Sequence, residues 1–572
     1  MTEPTVPSVT GSPTKTTLLK TLTQIDLDGI QDLAGARRAI VLLFNLVEDQ
    51  QATVRDLQAE NQRLRDENNR LKGEQGKPDI KPNKPPKPPA ASDHSSEAER
   101  RKPQAWRKGS KLDRITITRE AILTVDPAGL PADAEFKGHE DVVVQDVRFE
   151  TDNILFHKEK FYSPSAGKTY LAALPRGYSG QFGPSLKALA LVEYYACNIS
   201  EPKLLELFRS IGVVISAGEL SNILIKKQDD FHAEKAEVYA AGLESSPWQH
   251  LDQTSTRVDG VNQQCHVVCN PFYTAFFTTA SKDRLSVLDV LRNLAARTFR
   301  LNAEAFELLH VLGVAQYRIT QLQALPQEQT FSEAELTALL EQRVPKLGPL
   351  QHQHILEATA IAAYHAQLEF PVIQLLLCDD APQFNWLTGE LALCWVHEGR
   401  HYKKLAPCVP HHQQLLAEFQ KQFWGFYDQL LAYRQQPSVA EKARLTTEFD
   451  TLFATITGYD ALDARIAKTR LKKASLLLVL EHPEIPLHNN PAELAARQRV
   501  RKRDVSFGPQ TTDGAKSWDT FQTLTGTAKK LGVSIYHYIR DRVSQAYKLP
   551  SLANLIAERA QQHPMGASWD TT

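Results

Sequence analysis

The sequence predicts a multidomain α/β protein: an N-terminal coiled coil, a small β module, a helical segment, and an α/β core with helical insertions. Three observations predict it. A heptad pattern runs through residues 36–73. Alternating apolar and polar residues mark 113–180, and strand-like runs recur between Leu251 and Thr279. Helical patterns at 296–368 and 411–480 flank a buried apolar run from Pro371 to Cys378.

With 572 residues the chain has room for several domains. It is 42% apolar and 23% charged, and its net charge of −1 does not by itself predict a nucleic-acid partner. A DNA-binding surface would have to come from local basic clusters. Its 6 cysteines are too few and too scattered for a disulfide framework, which fits a reducing cytoplasm. No segment approaches the roughly 18 apolar residues of a membrane span. The polar N-terminus does not read as a secretory signal.

Residues 1–35 read as a disordered N-terminus. In 36–73 the d positions are Leu43, Gln50, Leu57, Leu64 and Leu71, and the a positions Ile40, Val47, Val54, Asn61 and Asn68. Leucine at d with β-branched residues at a favours a two-stranded parallel coil, and Asn at a selects register and dimer state. The other reading is one amphipathic helix packed on its own domain. Residues 74–112 form a basic linker: 77–111 hold ten Lys/Arg against four Asp/Glu, with prolines between the lysines. It is a solvated spacer, a phosphate-binding arm, or both.

Residues 113–180 read as a small strand-rich module around Ile115-Thr116-Ile117, Val142-Val143-Val144 and Ile154-Leu155-Phe156. Residues 181–245 read as helical. Leu186–Ala196, Glu201–Ile211 and Ala217–Lys227 are joined by short turns, as in a helix-turn-helix or in ordinary helical packing. The core spans 246–545, and 546–572 form a tail. Within the core come a strand from Leu251, an Asp259-Gly260 turn and strands at Cys265–Val268 and Tyr273–Thr279. A helix after Ser281, the buried strand ending at Cys378 and a strand over Leu391–Val396 follow. Strands first, then a helix, then a strand ending in an acid is the order of an RNase H-like core.

Three carboxylates stand out. Asp252 lies in His250-Leu251-Asp252-Gln253-Thr254, Asp379 ends the buried strand, and Glu493 lies in His488-Asn489-Asn490-Pro491-Ala492-Glu493. Acids gathered from distant parts of a chain can hold Mg²⁺ for phosphoryl transfer. Each also has a local reading. Asp252 could cap a turn, Asp379-Asp380-Ala381-Pro382 could start a helix, and Asn490 to Glu493 forms a capping box. After Glu493 comes a basic run, Arg497, Arg499, Arg501, Lys502 and Arg503. His397, Arg400, Lys403 and Lys404 form a second cluster. Both are candidate phosphate contacts. Alternation puts Cys265 and Cys269 on one strand face with His266 opposite, so this cluster reads as core. The Cys394-His397 pair lacks two further zinc ligands. No phosphate-cradling Gly-rich loop supports ATP use.

In order and motif, residues 36–545 resemble the insertion sequence 66 family of bacterial DDE transposases. That family's Asp-Glu-Thr signature is matched by Asp252-Gln253-Thr254. Its Asp-Gly-Tyr is matched by Asp379-Asp380-Ala381, which favours Asp379 over Asp380. Its Cys-x-x-His-x-x-Arg falls on Cys394, His397 and Arg400, and its Asp-Asn-Asn-x-x-Glu on His488 to Glu493. An Arg-rich helix and the Phe-Gly turn of Ser506-Phe507-Gly508 follow. The family's zinc module uses paired cysteines, and residues 113–196 contain none, so no zinc is expected.

The resemblance implies an enzyme that cuts and joins DNA at the ends of its own element. Asp252, Asp379 and Glu493 would hold Mg²⁺, or Mn²⁺ in its place. Double-stranded DNA, meaning the terminal inverted repeats and the target, would lie on the basic residues. A second copy would join through the coil. Element-encoded accessory proteins and a bacterial cytoplasmic, nucleoid-associated location complete the expectation, with no membrane partner. Two alternatives stay open: a non-catalytic dimeric DNA-binding protein, and a nuclease that cuts without joining.

Overall fold

The computed structural model describes residues 30, 32–72, 115–131, 133–147 and 150–564. The expectations for residues 1–29 and for the linker at 74–112 lie outside the described residues.

The heptad segment is one helix, α1 (Leu33–Leu71), capped by the Asp32 carboxylate. One of its faces docks on the second insertion of the same chain. Asn45 donates to Gly458 O at 2.9 Å and accepts from Asp460 N at 3.1 Å. Glu48 accepts from Cys408 N at 2.9 Å and Val409 N at 2.8 Å. That carboxylate sits just before the N-terminus of α12 (Pro410–Gln435), where negative charge is stabilised. Seven apolar seam residues, from Ile40 to Leu71, remain 42% to 78% exposed. The helix therefore docks one face on its own chain and leaves an apolar seam open.

The strand-rich module expected at 113–180 shrinks to one hairpin, β1 (Lys160–Ser163) with β2 (Lys168–Leu171). The other described residues from 115 to 159 form no strands. Val142, Val144 and Leu155 are 76%, 80% and 78% exposed, so alternation there found no partner strand to pair with. The helical segment appears as expected: α2 (Pro184–Tyr195), α3 (Glu201–Ser210), α4 (Ala217–Ile225) and α5 (Asp229–Glu244).

The core is a five-stranded sheet built from β3 (Trp248–Val258), β4 (Val261–Cys269), β5 (Thr274–Thr279), β8 (Leu375–Cys378) and β9 (Glu390–Leu393). Its order is β5-β4-β3-β8-β9. The first three strands are antiparallel, and β3, β8 and β9 run parallel. β8 is buried on both faces, as a central parallel strand must be. Leu376 and Cys378 join the core that contains α5, whereas Leu375 and Leu377 join an aromatic cluster around Trp395, Phe423 and Phe449.

Between the two halves of the sheet come α6 (Arg284–Leu291) and the first insertion. The insertion holds a small hairpin, β6 (Thr298–Arg300) with β7 (Thr330–Ser332), where only helix was expected. Its helices are α7 (Ala303–Val311), α8 (Gln316–Gln323), α9 (Glu333–Arg343) and α10 (Pro349–His365). The strand expected over Leu391–Val396 stops at Leu393, and Trp395 begins α11 (Trp395–Lys404). The second insertion holds α12, α13 (Val439–Leu452), α14 (Asp460–Arg470) and α15 (Lys473–Leu476).

α16 (Asn490–Ser506), α17 (Thr512–Lys530) and α18 (Ile535–Val543) then return to the sheet. α17 closes the free edge of β5. Thr274 N donates to Thr527 Oγ1 at 3.2 Å, Phe276 N to Thr523 Oγ1 at 3.0 Å, and Thr278 N to Asp519 Oδ2 at 2.7 Å. Four residues of helix rise roughly 6 Å and two of strand roughly 6.8 Å, so the two spacings match. An edge that could recruit a foreign strand is thereby satisfied within the chain. The expected C-terminal tail instead contains α19 (Leu552–Gln562), whose Leu552 and Ile556 are fully buried. Among the described residues no helix is long and apolar enough to cross a membrane.

Candidate active site at the ends of the parallel strands

β3 pairs with β8 through His250 opposite Leu377. Carrying that parallel register two residues further brings Asp252 level with Asp379, on neighbouring strands. β8 pairs with β9 through Cys378 opposite Leu393, so the start of α11 lies level with the same edge. The carboxyl ends of parallel strands are where open α/β sheets place their ligands.

Glu493 is delivered there by α16. The capping box expected at Asn490 does not form. Asn489 is the N-cap residue, and no side-chain capping bond is made. Asn489 is committed to the strands instead. Its amide donates to Leu251 O at 2.7 Å, its Oδ1 lies 2.8 Å from His250 Nδ1, and its backbone N–H donates to Cys394 Sγ at 3.2 Å. These bonds fasten the helix start beside Asp252, and Glu493 follows one turn later. Burial pushes the His250 imidazole down to about 3, so it is neutral. The positioning roles of His250 and Asn489 were missed from sequence. The available signal was a polar residue inside an otherwise buried strand.

The electrostatics bind the three acids together. Burial pushes the Asp252 carboxyl up to about 7, and the negative charges of Glu493 and Asp379 push it the same way. The Gln253 N–H, 2.8 Å from Asp252 Oδ1, acts in the opposite direction. Glu493 lies between two arginines and a histidine. Arg400 Nη2 is 3.0 Å from Oε2, His397 Nε2 is 3.6 Å from Oε1, and Arg497 Nη2 is 3.9 Å from Oε2. Arg400 also donates to His397 Nε2 at 2.8 Å, which requires that nitrogen to be unprotonated. Burial likewise holds the His397 imidazole below its ordinary range. Lys404 returns to the face of His397 seven residues on, and Lys403 is exposed beside it.

Asp380 points elsewhere. With Glu398 and His401 it forms a group whose ligand-type atoms all lie within 4.8 Å of one another, a spacing that fits a divalent ion. Fixed cations already occupy it, however. Lys472 pairs with Asp380 and, at 2.9 Å, with Glu398, and Arg465 also pairs with Glu398. Burial pushes Glu398 up, but bonds from Thr469, Lys472 and Arg465 outweigh it and hold the carboxyl below its usual range. This network ties α11 to α14, and an added ion would have to displace a lysine.

The basic run on α16 divides by helical face. Arg497 and Arg501 are exposed, and Arg503 donates to Ser255 O at 2.7 Å. Two residues of the run need correcting: Arg499 and Lys502 are fully buried and cannot reach a phosphate. A helix that lies on a sheet turns part of any continuous basic run inward. Arg499 pairs with Asp519, and Lys502 donates to Tyr194 O with its ammonium 3.3 Å from the Tyr194 ring centroid. Burial pushes Lys502 down to about 7 from the usual 10.5. The unfolded chain therefore holds more protons than the folded one between those values, and stability rises with pH across that window. Lys502→Met is expected to match or exceed the wild type in thermal stability below pH 7 and to lose that rise. A melting series over pH checks it, and a variant clearly less stable below pH 7 would mean the ammonium–ring contact outweighs its desolvation.

The cysteine cluster behaves as core, with Cys265, His266 and Cys269 all fully buried. Residues 367–517 match a family model described as "Transposase IS66 family", a stretch that holds Asp379, His397, Arg400 and Glu493. The chain is 32% identical over 324 residues to "Uncharacterized protein y4jO" of Sinorhizobium fredii (strain NBRC 101917 / NGR234), covering 56% of this chain and 99% of that protein. No solved structure matches.

Proposed function

Because the chain belongs to the IS66 transposase family, we propose that it is a DDE-type transposase that cuts the ends of its element and joins them to target DNA. The observation that carries this reading is the convergence of Asp252, Asp379 and Glu493 from two parallel strand ends and one helix start. Their charges are felt together at Asp252. The sheet order, three antiparallel strands followed by two parallel ones, supports an RNase H-like core.

Three carboxylates that repel one another make a donor set of hard oxygens, which suits Mg²⁺ or Mn²⁺. Asp252, Asp379 and Glu493 would hold it. Bound there, an ion would supply Lewis acidity to the phosphoryl oxygens and to the attacking water. The chain's own groups position the DNA. Arg400 and Arg497 flank Glu493, and Lys403, Lys404, Arg501 and Arg503 extend the basic surface on either side. A water oxygen forms a bond to the scissile phosphorus as the P–O3′ bond breaks, and the departing oxygen takes up a proton as a 3′-hydroxyl. That hydroxyl then attacks a target phosphodiester, forming one P–O bond as another breaks. The exposed seam of α1 suits a second copy, and so two DNA ends in one complex. A nucleoid-associated cytoplasmic setting follows from the substrate.

The test incubates purified protein with labelled duplexes drawn from the DNA flanking its own coding sequence, a plasmid target and Mg²⁺. Metal-dependent nicks ending in 3′-hydroxyls, followed by joined products, are expected. Cutting without joining would favour the nuclease reading, and binding without cutting the non-catalytic one.

A further inference from the structure

α16 ends at Phe507, which takes the left-handed conformation with φ 58°. A helix is commonly closed in this way by glycine, because a side chain there costs energy. The Phe507 ring recovers nothing by burial, being 82% exposed. The turn around it is held firmly. Gly508, with φ +98°, sits so close to β3 that a Cβ would lie 2.6 Å from Arg257 O. Asp259 N donates to Pro509 O at 2.9 Å, tying the turn to the β3–β4 turn. A phenyl ring that stabilises neither the helix end nor the core is thus presented to solvent from a fixed platform.

Its surroundings indicate what it meets. Glu493, Arg497 and Arg501 follow one another at four-residue spacing on α16, so a charged stripe runs from the acids toward Phe507. Fourteen residues of helix separate Glu493 from Phe507, about 21 Å. At about 3.4 Å per base pair, that is roughly six base pairs of duplex. Resting on the transposase reading above, we propose that Phe507 is a wedge that inserts into the base stack of duplex DNA lying along α16, about six base pairs from the phosphate at the acids. An exposed ring beside phosphate-binding arginines is the chemistry of proteins that unstack a base step.

The test uses the full chain and a mixed-sequence DNA duplex carrying 2-aminopurine at successive positions. Phe507→Gly removes the ring and relieves the left-handed strain, so it should fold at least as stably as the wild type. It is expected to bind the duplex about tenfold more weakly, with an unchanged dependence on salt concentration. Phe507→Trp should keep the affinity. Wild-type binding should raise 2-aminopurine fluorescence at one or two adjacent positions, and Phe507→Gly should not. Equal affinity and equal fluorescence in wild type and Phe507→Gly would overturn the wedge and leave the transposase reading standing. A wild type that binds no duplex would overturn both.

Discussion

Asp379→Asn is expected to slow DNA cutting and joining by at least about a thousandfold, while Asp380→Asn stays within a few-fold of the wild type. The two acids are adjacent, and the sequence favours Asp379 only through its match to the family's Asp-Gly-Tyr. The structure separates them by what surrounds each. The charge of Asp379 reaches Asp252 and His397. Asp380 is paired with Lys472 and lies 4.0 Å from His401, in the network that holds α11 to α14. Losing that partly exposed pair costs about 1 kcal/mol, because Lys472 keeps its bond to Glu398. Glu493→Gln should behave like Asp379→Asn. Rates are measured with excess protein on one labelled duplex, and binding is followed separately so that lost chemistry is distinguished from lost affinity. The reverse ranking of the two variants would move the second acid to Asp380 and pull the centre toward Glu398.

The parts legible in sequence were those written in local periodicity or in chain order. The apolar run ending in Asp379 could be read as a strand because β8 is buried on both faces. The heptads gave α1, and the helices from 184 to 225 followed from short amphipathic runs between turns. What could not be read depends on partners distant in the chain. Asn45 and Glu48 fall at the outward f and b positions of the heptad, where polar residues are ordinary, so nothing local marks them as docking groups until Gly458 and Cys408 arrive to accept and donate. The alternating residues around Val142–Val144 resemble strands, yet among the described residues no neighbouring strand pairs with them. The capping box at Asn490 failed because Asn489 found stronger partners on β3. Asp252, Asp379 and Glu493 could be singled out by motif. His250, which orients Asn489, could not, because its value lies in one tertiary hydrogen bond.

Arg499→Met is expected to destabilise the protein by about 3–5 kcal/mol, the cost of orphaning a buried charge. By composition Arg499 belongs to a basic run read from sequence as candidate phosphate contacts. In the fold its guanidinium has no exposed surface, pairs with Asp519, and lies 5.7 Å and 5.6 Å from the ring centroids of Phe276 and Trp518. Asp519 also accepts from both the backbone N–H and the hydroxyl of Thr278, so one carboxylate joins α16, α17 and the edge strand β5. Removing the arginine leaves that carboxylate buried without its cation. Asp519→Asn in the same chain keeps an oxygen for the Thr278 N–H and removes the charge, so the double variant should recover at least half of the loss. Denaturant midpoints of the wild type, both single variants and the double variant give the coupling directly. Duplex binding well below the unfolding transition should be unchanged in Arg499→Met and should keep its full salt dependence. Arg497→Ala and Arg501→Ala should each lower that dependence by about one released counterion. A stable Arg499→Met protein with weakened, less salt-dependent binding would return Arg499 to the DNA surface and mean that α16 sits rotated on the sheet.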